Sequence, residues 1–142
     1  MEKITSFRGK YDFLSNFYPC FVYLDGERYS SVERAFQAAK TLDKSERKQF
    51  QLCPTNGEAK RRGRHIKLRN DWETVKYDVM YNLLKSKFSN NESLKTRLLS
   101  TGNAYLEESN NHGDRIWGTV KGVGENNLGK LLMQVRSDIQ HE

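Results

Sequence analysis

The sequence predicts a single α+β domain over residues 1–142, mainly helical with a small sheet, and three observations predict it. The length of 142 residues suits one domain and leaves little for a second. Apolar residues recur at three- and four-residue spacing in several capped segments, the pattern of amphipathic helices. The β-favouring stretches are few and do not alternate with the helices as regular βαβ units. No repeat, low-complexity tract or Pro/Gly/Ser linker marks a domain boundary.

Residues 4–24 read as strand and loop, because Phe7, Tyr11, Phe13, Phe17, Tyr18, Phe21, Val22 and Tyr23 are aromatic or β-branched. Asp25-Gly26 predicts a type I′ hairpin turn, whose two central positions need φ > 0. Ser30-Ser31-Val32-Glu33 matches a capping box, with Ser30 as N-cap and Glu33 at the third helical position of a helix reaching about Leu42. Thr55, after Pro54, predicts the cap of a short helix that carries Lys60, Arg61 and Arg62 and stops near Gly63. Asn70 predicts the N-cap of the longest helix, through Asp71 to about Lys87. Trp72, Val75, Val79, Met80 and Leu83 form its buried stripe. A further helix covers about Glu92–Leu99 and ends at Thr101-Gly102. From Asn103 to Gly124 the chain reads as strand and loop. The last helix starts near Asn126 and buries Leu128, Leu131, Leu132, Val135 and Ile139.

Lys and Arg number 24 against 18 Asp and Glu, a net charge of +6 at neutral pH. Such an excess attracts phosphate, on a nucleic acid or a small nucleotide, or else forms a solvated basic face. The two cysteines, Cys20 and Cys53, lack metal-type spacing and argue against a disulfide scaffold or a zinc site. The start, Met-Glu-Lys-Ile-Thr, has no apolar signal region, and no apolar run approaches a membrane span. A soluble, cytoplasmic protein is expected, with no membrane partner.

Four constellations bear on chemistry. Gly124, Gly129 and Lys130 satisfy G-x-x-x-x-G-K, but Leu131 stands where a P-loop needs a magnesium-binding hydroxyl. Gly122, Gly124 and Gly129 have the wrong spacing for a dinucleotide fingerprint. The segment is either a plain loop or a phosphate seat at a helix N-terminus. Asp114 precedes Trp117-Gly118 in a glycine-rich loop, where it either meets a bound base or sugar or caps a turn. Glu33 is explained by capping alone, although Lys40, seven residues on, shares its helix face. A carboxylate and an ammonium on one face bracket a substrate or simply face solvent. The run from Lys60 to Arg69 is seven-tenths basic, counting His65, and lacks the interleaved aromatics of a single-strand binder. Small phosphates fit it at least as well as a polynucleotide. His65, His112 and His141 have no convincing Ser or Cys partner, so a triad is unsupported.

In their order along the chain these motifs resemble the NADAR-domain (YbiA-like) family. The resemblance runs through FLSNFYP at 13–19, SVERAFQAAK at 31–40, GR at 63–64, RNDWETVKYDVM at 69–80 and LLKSKF at 83–88. It continues through LLSTGNAYLEE at 98–108 and DRIWG at 114–118, and ends with GVGENNLGKLLMQVR at 122–136. It implies a small α+β domain that cleaves N-glycosidic bonds. The family's activities include hydrolysis of a phosphoribosylamino-pyrimidine of riboflavin synthesis and removal of ADP-ribose from guanine in DNA. The family-type positions transfer to Asn16, Glu33, Lys40, Gly63, Arg64, Trp72, Lys76, Asp114, Trp117, Gly118, Asn126 and Gly129. Arg34 departs from the pattern, which often has histidine there.

On that resemblance Glu33 is the expected general base or electrostatic stabiliser, with Asp114 its partner at the ribose hydroxyls or the leaving base. Trp72 or Trp117 stacks on the base, and Lys40, Arg64 and Lys76 hold phosphates. Asn16, Gly118 and Asn126 complete the substrate-binding set. The chemistry needs no cofactor and no metal. The expected partner is a small phosphorylated ribosyl substrate or an ADP-ribosylated nucleic acid. A module that binds ADP-ribose or NAD without cleaving it is the reading of a different class.

Overall fold

In chain order the elements are β1 (Lys3–Ile4), a 3-10 segment (Gly9–Leu14), β2 (Val22–Leu24) and β3 (Glu27–Tyr29). They continue with α1 (Val32–Ala39), α2 (Lys44–Leu52), α3 (Asn56–His65), α4 (Trp72–Ser89), α5 (Glu92–Ser100), β4 (Tyr105–Leu106) and α6 (Asn127–Gln140). The computed structural model describes residues 2–142. Within them the chain divides into two compact units, one of residues 16–91 and the other of the segment up to Ser15 with Glu92–Glu142. The α+β class holds: helices dominate, and the strands form two separate pairs, β1 parallel to β4 and β2 antiparallel to β3.

The unit of residues 16–91 is built around α1, which packs against α2, α3, α4 and the β2–β3 hairpin. Small residues explain how one helix takes so many neighbours: Ala35, Ala38 and Ala39 are fully buried and let backbones approach. The hairpin turns at Asp25 (φ 48°) and Gly26 (φ 83°), as a type I′ turn requires. Helix α4 buries Trp72, Met80, Leu83, Leu84 and Phe88 on one side. Phe36 of α1 meets Trp72 at a ring separation of 5.1 Å. A tilted aromatic pair of this kind adds about 0.5–1.5 kcal/mol beyond its buried area.

In the other unit β4 lies between β1 and α6, and α5 also packs on α6. Arg136 of α6 is buried. Its guanidinium donates to Thr101 Oγ1 at 2.8 Å and to the Ala104 carbonyl at 2.9 Å. Burial pushes its pKa down from the ordinary arginine value. Leu128, Leu132, Val135 and Ile139 supply the apolar face of α6.

Several boundaries differ from the sequence reading. The cap of α1 is Ser31, whose Oγ accepts from the Arg34 N–H at 3.1 Å, so Ser30 lies outside and Glu33 is the second helical residue. Adjacent serines offer the same local chemistry, and burial of Ser31 against Asn56 selects between them. Helix α1 stops at Ala39, and α2 follows, capped by Asp43 on the Glu46 N–H. That second helix was invisible to periodicity because Phe50 is its one buried residue. Asp71, not Asn70, precedes α4 and makes no side-chain cap, since its carboxylate holds the Arg69 guanidinium at 2.6 and 3.1 Å. That pairing pulls the Asp71 pKa down and pushes the Arg69 pKa up. Within 4–24, where strand and loop are expected, Gly9–Leu14 forms the 3-10 segment; it buries Phe13 and Leu14, and the Arg97 guanidinium lies over the Phe13 ring at 4.2 Å.

Ser31→Ala is expected to lower unfolding free energy by about 0.5–2 kcal/mol, the cost of a lost N-cap. Ser30→Ala is expected to stay within about 0.5 kcal/mol of the parent. Denaturant titration of both variants checks the pair.

Candidate active site

Glu33 sits on the first turn of α1, buried to 8% exposure. Its backbone N–H donates to the Asn16 carbonyl at 3.0 Å, which joins the FLSNFYP segment to the start of the helix. Its carboxylate Oε2 accepts from Gln37 Nε2 at 2.6 Å, one helical turn on. A buried carboxylate is costly unless hydrogen-bonded or paired, and this amide supplies part of what water would have given it.

Lys40 ends the same helix. Its carbonyl accepts from the Arg69 N–H at 2.7 Å, which pins the helix end to the connection between α3 and α4. The Lys40 pKa is lowered, chiefly by burial; the negative charge of Glu33 works against that, while Arg64 and Lys60 push it further down. Lys40, at the end of α1, therefore feels one carboxylate, Glu33 of the same helix, and two cations, Arg64 and Lys60 of α3. Arg64 is exposed at the last turn of α3, and Lys60 lies one turn before it.

Asn16 is half-buried. Its Nδ2 lies 3.7 Å from the Met80 sulfur, and its buried Oδ1 accepts no hydrogen bond from any described residue. Trp72 is buried against Phe36, within the core. Lys76 donates to both Glu73 carboxylate oxygens, at 2.7 and 3.2 Å.

In the other unit, Asp114 is half-buried and its Oδ1 accepts from the N–H groups of Ile116 (3.1 Å) and Trp117 (2.9 Å). This is the turn-capping geometry weighed for it above. Asn110 closes the same loop on the Asp114 carbonyl. Gly118 lies so close to the Glu108 carbonyl that a Cβ there would overlap it. Asn126 is buried in the left-handed conformation (φ 53°). Its Oδ1 accepts from the Glu108 N–H at 3.0 Å, and its Nδ2 donates to the Leu106 carbonyl at 2.9 Å. Gly129 lets α6 reach the same Leu106 carbonyl. Asn126 and the glycines thus hold β4 against the start of α6, and Trp117, half-buried, is more open than Trp72.

A family model described as NADAR domain matches residues 5–140. The chain belongs to the NADAR domain family. It is 36% identical over 135 residues to the N-glycosidase YbiA of Escherichia coli K12, covering 93% of this chain and 84% of that protein. It is 35% identical over 131 residues to a riboflavin biosynthesis protein of Vibrio vulnificus, covering 90% of this chain but 35% of that longer protein. The NMR structure of Escherichia coli YbiA matches it with a TM-score of 0.86 at 34% identity, over 99% of this chain and 88% of that one.

The arginine that interrupts the NADAR pattern has a structural place. The Arg34 guanidinium donates to Asn56 Oδ1 at 3.0 Å and to the Cys53 carbonyl at 3.2 Å, tying α1 to the connection between α2 and α3. Two further residues near Glu33 and Lys40 escaped sequence reasoning, Gln37 and Lys60. Gln37 carried a signal, since it lies four residues after Glu33 on one helix face. Lys60 was lost in a uniformly basic run, where spacing does not separate a site residue from a solvated one.

Removing the Glu33 charge removes the attraction that holds up the Lys40 pKa. Lys40 is expected to titrate at lower pH in Glu33→Gln and at higher pH in Arg64→Gln, where a repelling charge is gone. Carbon-13 NMR of labelled lysine side chains reads both shifts.

Proposed function

We propose that this chain is an N-glycosidase that hydrolyses the bond between a phosphorylated ribose and the nitrogen of an amine or base, with a phosphoribosylamino-pyrimidine as the substrate class that fits best. The observation that carries the reading is the buried Glu33 carboxylate, whose charge acts on Lys40, a lysine on which Lys60 and Arg64 act as well. N-glycoside cleavage develops positive charge on the ribose, as O-glycoside cleavage does. A desolvated carboxylate stabilises that charge or takes the proton of an attacking water. Cations on the same side bind the phosphate that marks the substrate. The names of the relatives, N-glycosidase and riboflavin biosynthesis protein, agree with this chemistry. The cytoplasm is its proposed location.

A part for Asp114 rests on the family resemblance. Because its Oδ1 already serves the loop, Asp114→Asn keeps an oxygen there and tests the charge alone. A second reading, removal of ADP-ribose from guanine in DNA, is favoured by the exposed basic residues Arg61, Arg62, Arg64 and Lys67.

Glu33→Gln is expected to lower turnover by about 100- to 10,000-fold, the worth of a positioned base, with little change in melting temperature. The protein is offered a phosphoribosylamino-pyrimidine and, separately, ADP-ribosylated single-stranded DNA. Release of ribose 5-phosphate supports the first reading, and release of ADP-ribose the second. Tight ADP-ribose binding with no product from either overturns both in favour of a binding module. Near-normal turnover in Glu33→Gln removes that residue from the chemistry.

A further inference from the structure

We infer that Gln37 and Gly63 are positioning residues for Glu33: Gly63 leaves the space in which the Gln37 amide lies, and that amide sets the direction of the Glu33 carboxylate. The inference deepens the proposed function and rests on Glu33 as the acting carboxylate.

The contact between Gln37 Nε2 and Glu33 Oε2, at 2.6 Å, is short even for a charge-assisted hydrogen bond. Both residues are buried, Gln37 to 5% exposure, so bulk water does not replace this donor. The other end of the amide has a different environment. Gln37 Oε1 is buried and accepts no hydrogen bond from any described residue. It lies against the backbone of α3 at Gly63. A Cβ built on Gly63 would overlap Oε1, lie 2.7 Å from Cδ and lie 3.3 Å from Cβ of Gln37. A helix backbone therefore walls the amide on its oxygen side and directs its nitrogen to Glu33.

The unsatisfied oxygen makes the case stronger. A buried acceptor without a donor is destabilising, and an aliphatic side chain of similar length would fill the space without that penalty. What glutamine adds here is the N–H pair, and an ionised carboxylate, which only accepts, is its recipient. Gly63 is then explained as well. Glycine is a poor helix former, yet it stands near the end of α3, where any side chain would push the amide away from Gly63.

The test uses the whole chain with Gln37→Met, Gly63→Ala and the double variant Gly63→Ala/Gln37→Ala, with Glu33→Gln as reference. Melting temperature, kcat and KM are measured, together with the Gln37 side-chain amide signals by nitrogen-15 NMR. Gln37→Met is expected to melt near the parent and keep KM, with kcat about 100-fold lower, as for a misdirected catalytic group. Gly63→Ala is expected to lower the melting temperature. The double variant recovers it, because the new methyl enters the vacated space, but kcat stays low. The Gln37 amide signals are expected to move in Glu33→Gln.

Full kcat in Gln37→Met alongside an inactive Glu33→Gln overturns this inference and leaves the function standing. Full activity in Glu33→Gln overturns the reading beneath it. A Gln37→Met variant whose loss follows its melting temperature, with KM and kcat failing together, assigns the glutamine to packing alone. Amide signals unmoved by Glu33→Gln overturn the inference whether or not a substrate has been found.

Discussion

Every residue of α1 except Arg34 is buried, and one of them is a glutamate. A helix enclosed by α2, α3, α4 and a hairpin gives that carboxylate a surrounding far less polarisable than water, so its neighbours must replace hydration. Gln37 does so from the same helix, Asn16 fixes the backbone at its start, and Lys40 brings a counter-charge at its end. Remove the enclosure and Glu33 becomes an ordinary first-turn carboxylate near a helix N-terminus. The close approach of α3, possible because position 63 has no side chain, is what keeps the enclosure tight.

The cations that act on Lys40 are poorly placed for stability. Lys40 is partly desolvated and faces the repulsion of Arg64 and Lys60, both of which depress its pKa. A phosphate bound there, as the proposed function has it, would relieve that repulsion. Perturbed titration of this kind gathers at functional sites, although structural ion pairs also produce it. Contrast marks the distinction here: Arg61 and Arg62 have carboxylate partners in Glu58 and Glu46 and lie at the surface.

The other unit solves a different problem, that of holding a long glycine-rich loop without a sheet ladder. Side chains bond to backbone instead: Asn126 to the segment 106–108, Asn110 to the carbonyl and N–H of Asp114, Asp114 to the N–H groups of Ile116 and Trp117, and Arg136 to the segment after α5. Glycines at 118 and 129 allow those backbones to come within contact distance. The stretch shares the spacing of a P-loop but has Leu131 where that loop needs a hydroxyl. Gly124 and Gly129, which give that spacing, lie against the Gly118 and Leu106 carbonyls.

Helix existence was legible wherever burial imposed a period, as in α4 and α6, or where a single cap was available, as at Thr55. So was the hairpin, because Asp25-Gly26 leaves the backbone few alternatives. Helix α2 was not legible, since one buried phenylalanine makes no period, and neither was the choice between Ser30 and Ser31, which depends on Asn56 25 residues away from Ser31. The order of motifs along the chain was enough for family membership, and with it a short set of candidate residues. Only tertiary structure decided that Trp72 belongs to the core and that Arg34 is a tie between helices. It alone showed Gln37 standing between Glu33 and a glycine 26 residues further on. Local sequence encodes hydrogen bonds within a few residues and the period of a buried face. Which buried polar groups meet is settled by helices packing at distances the chain order does not record.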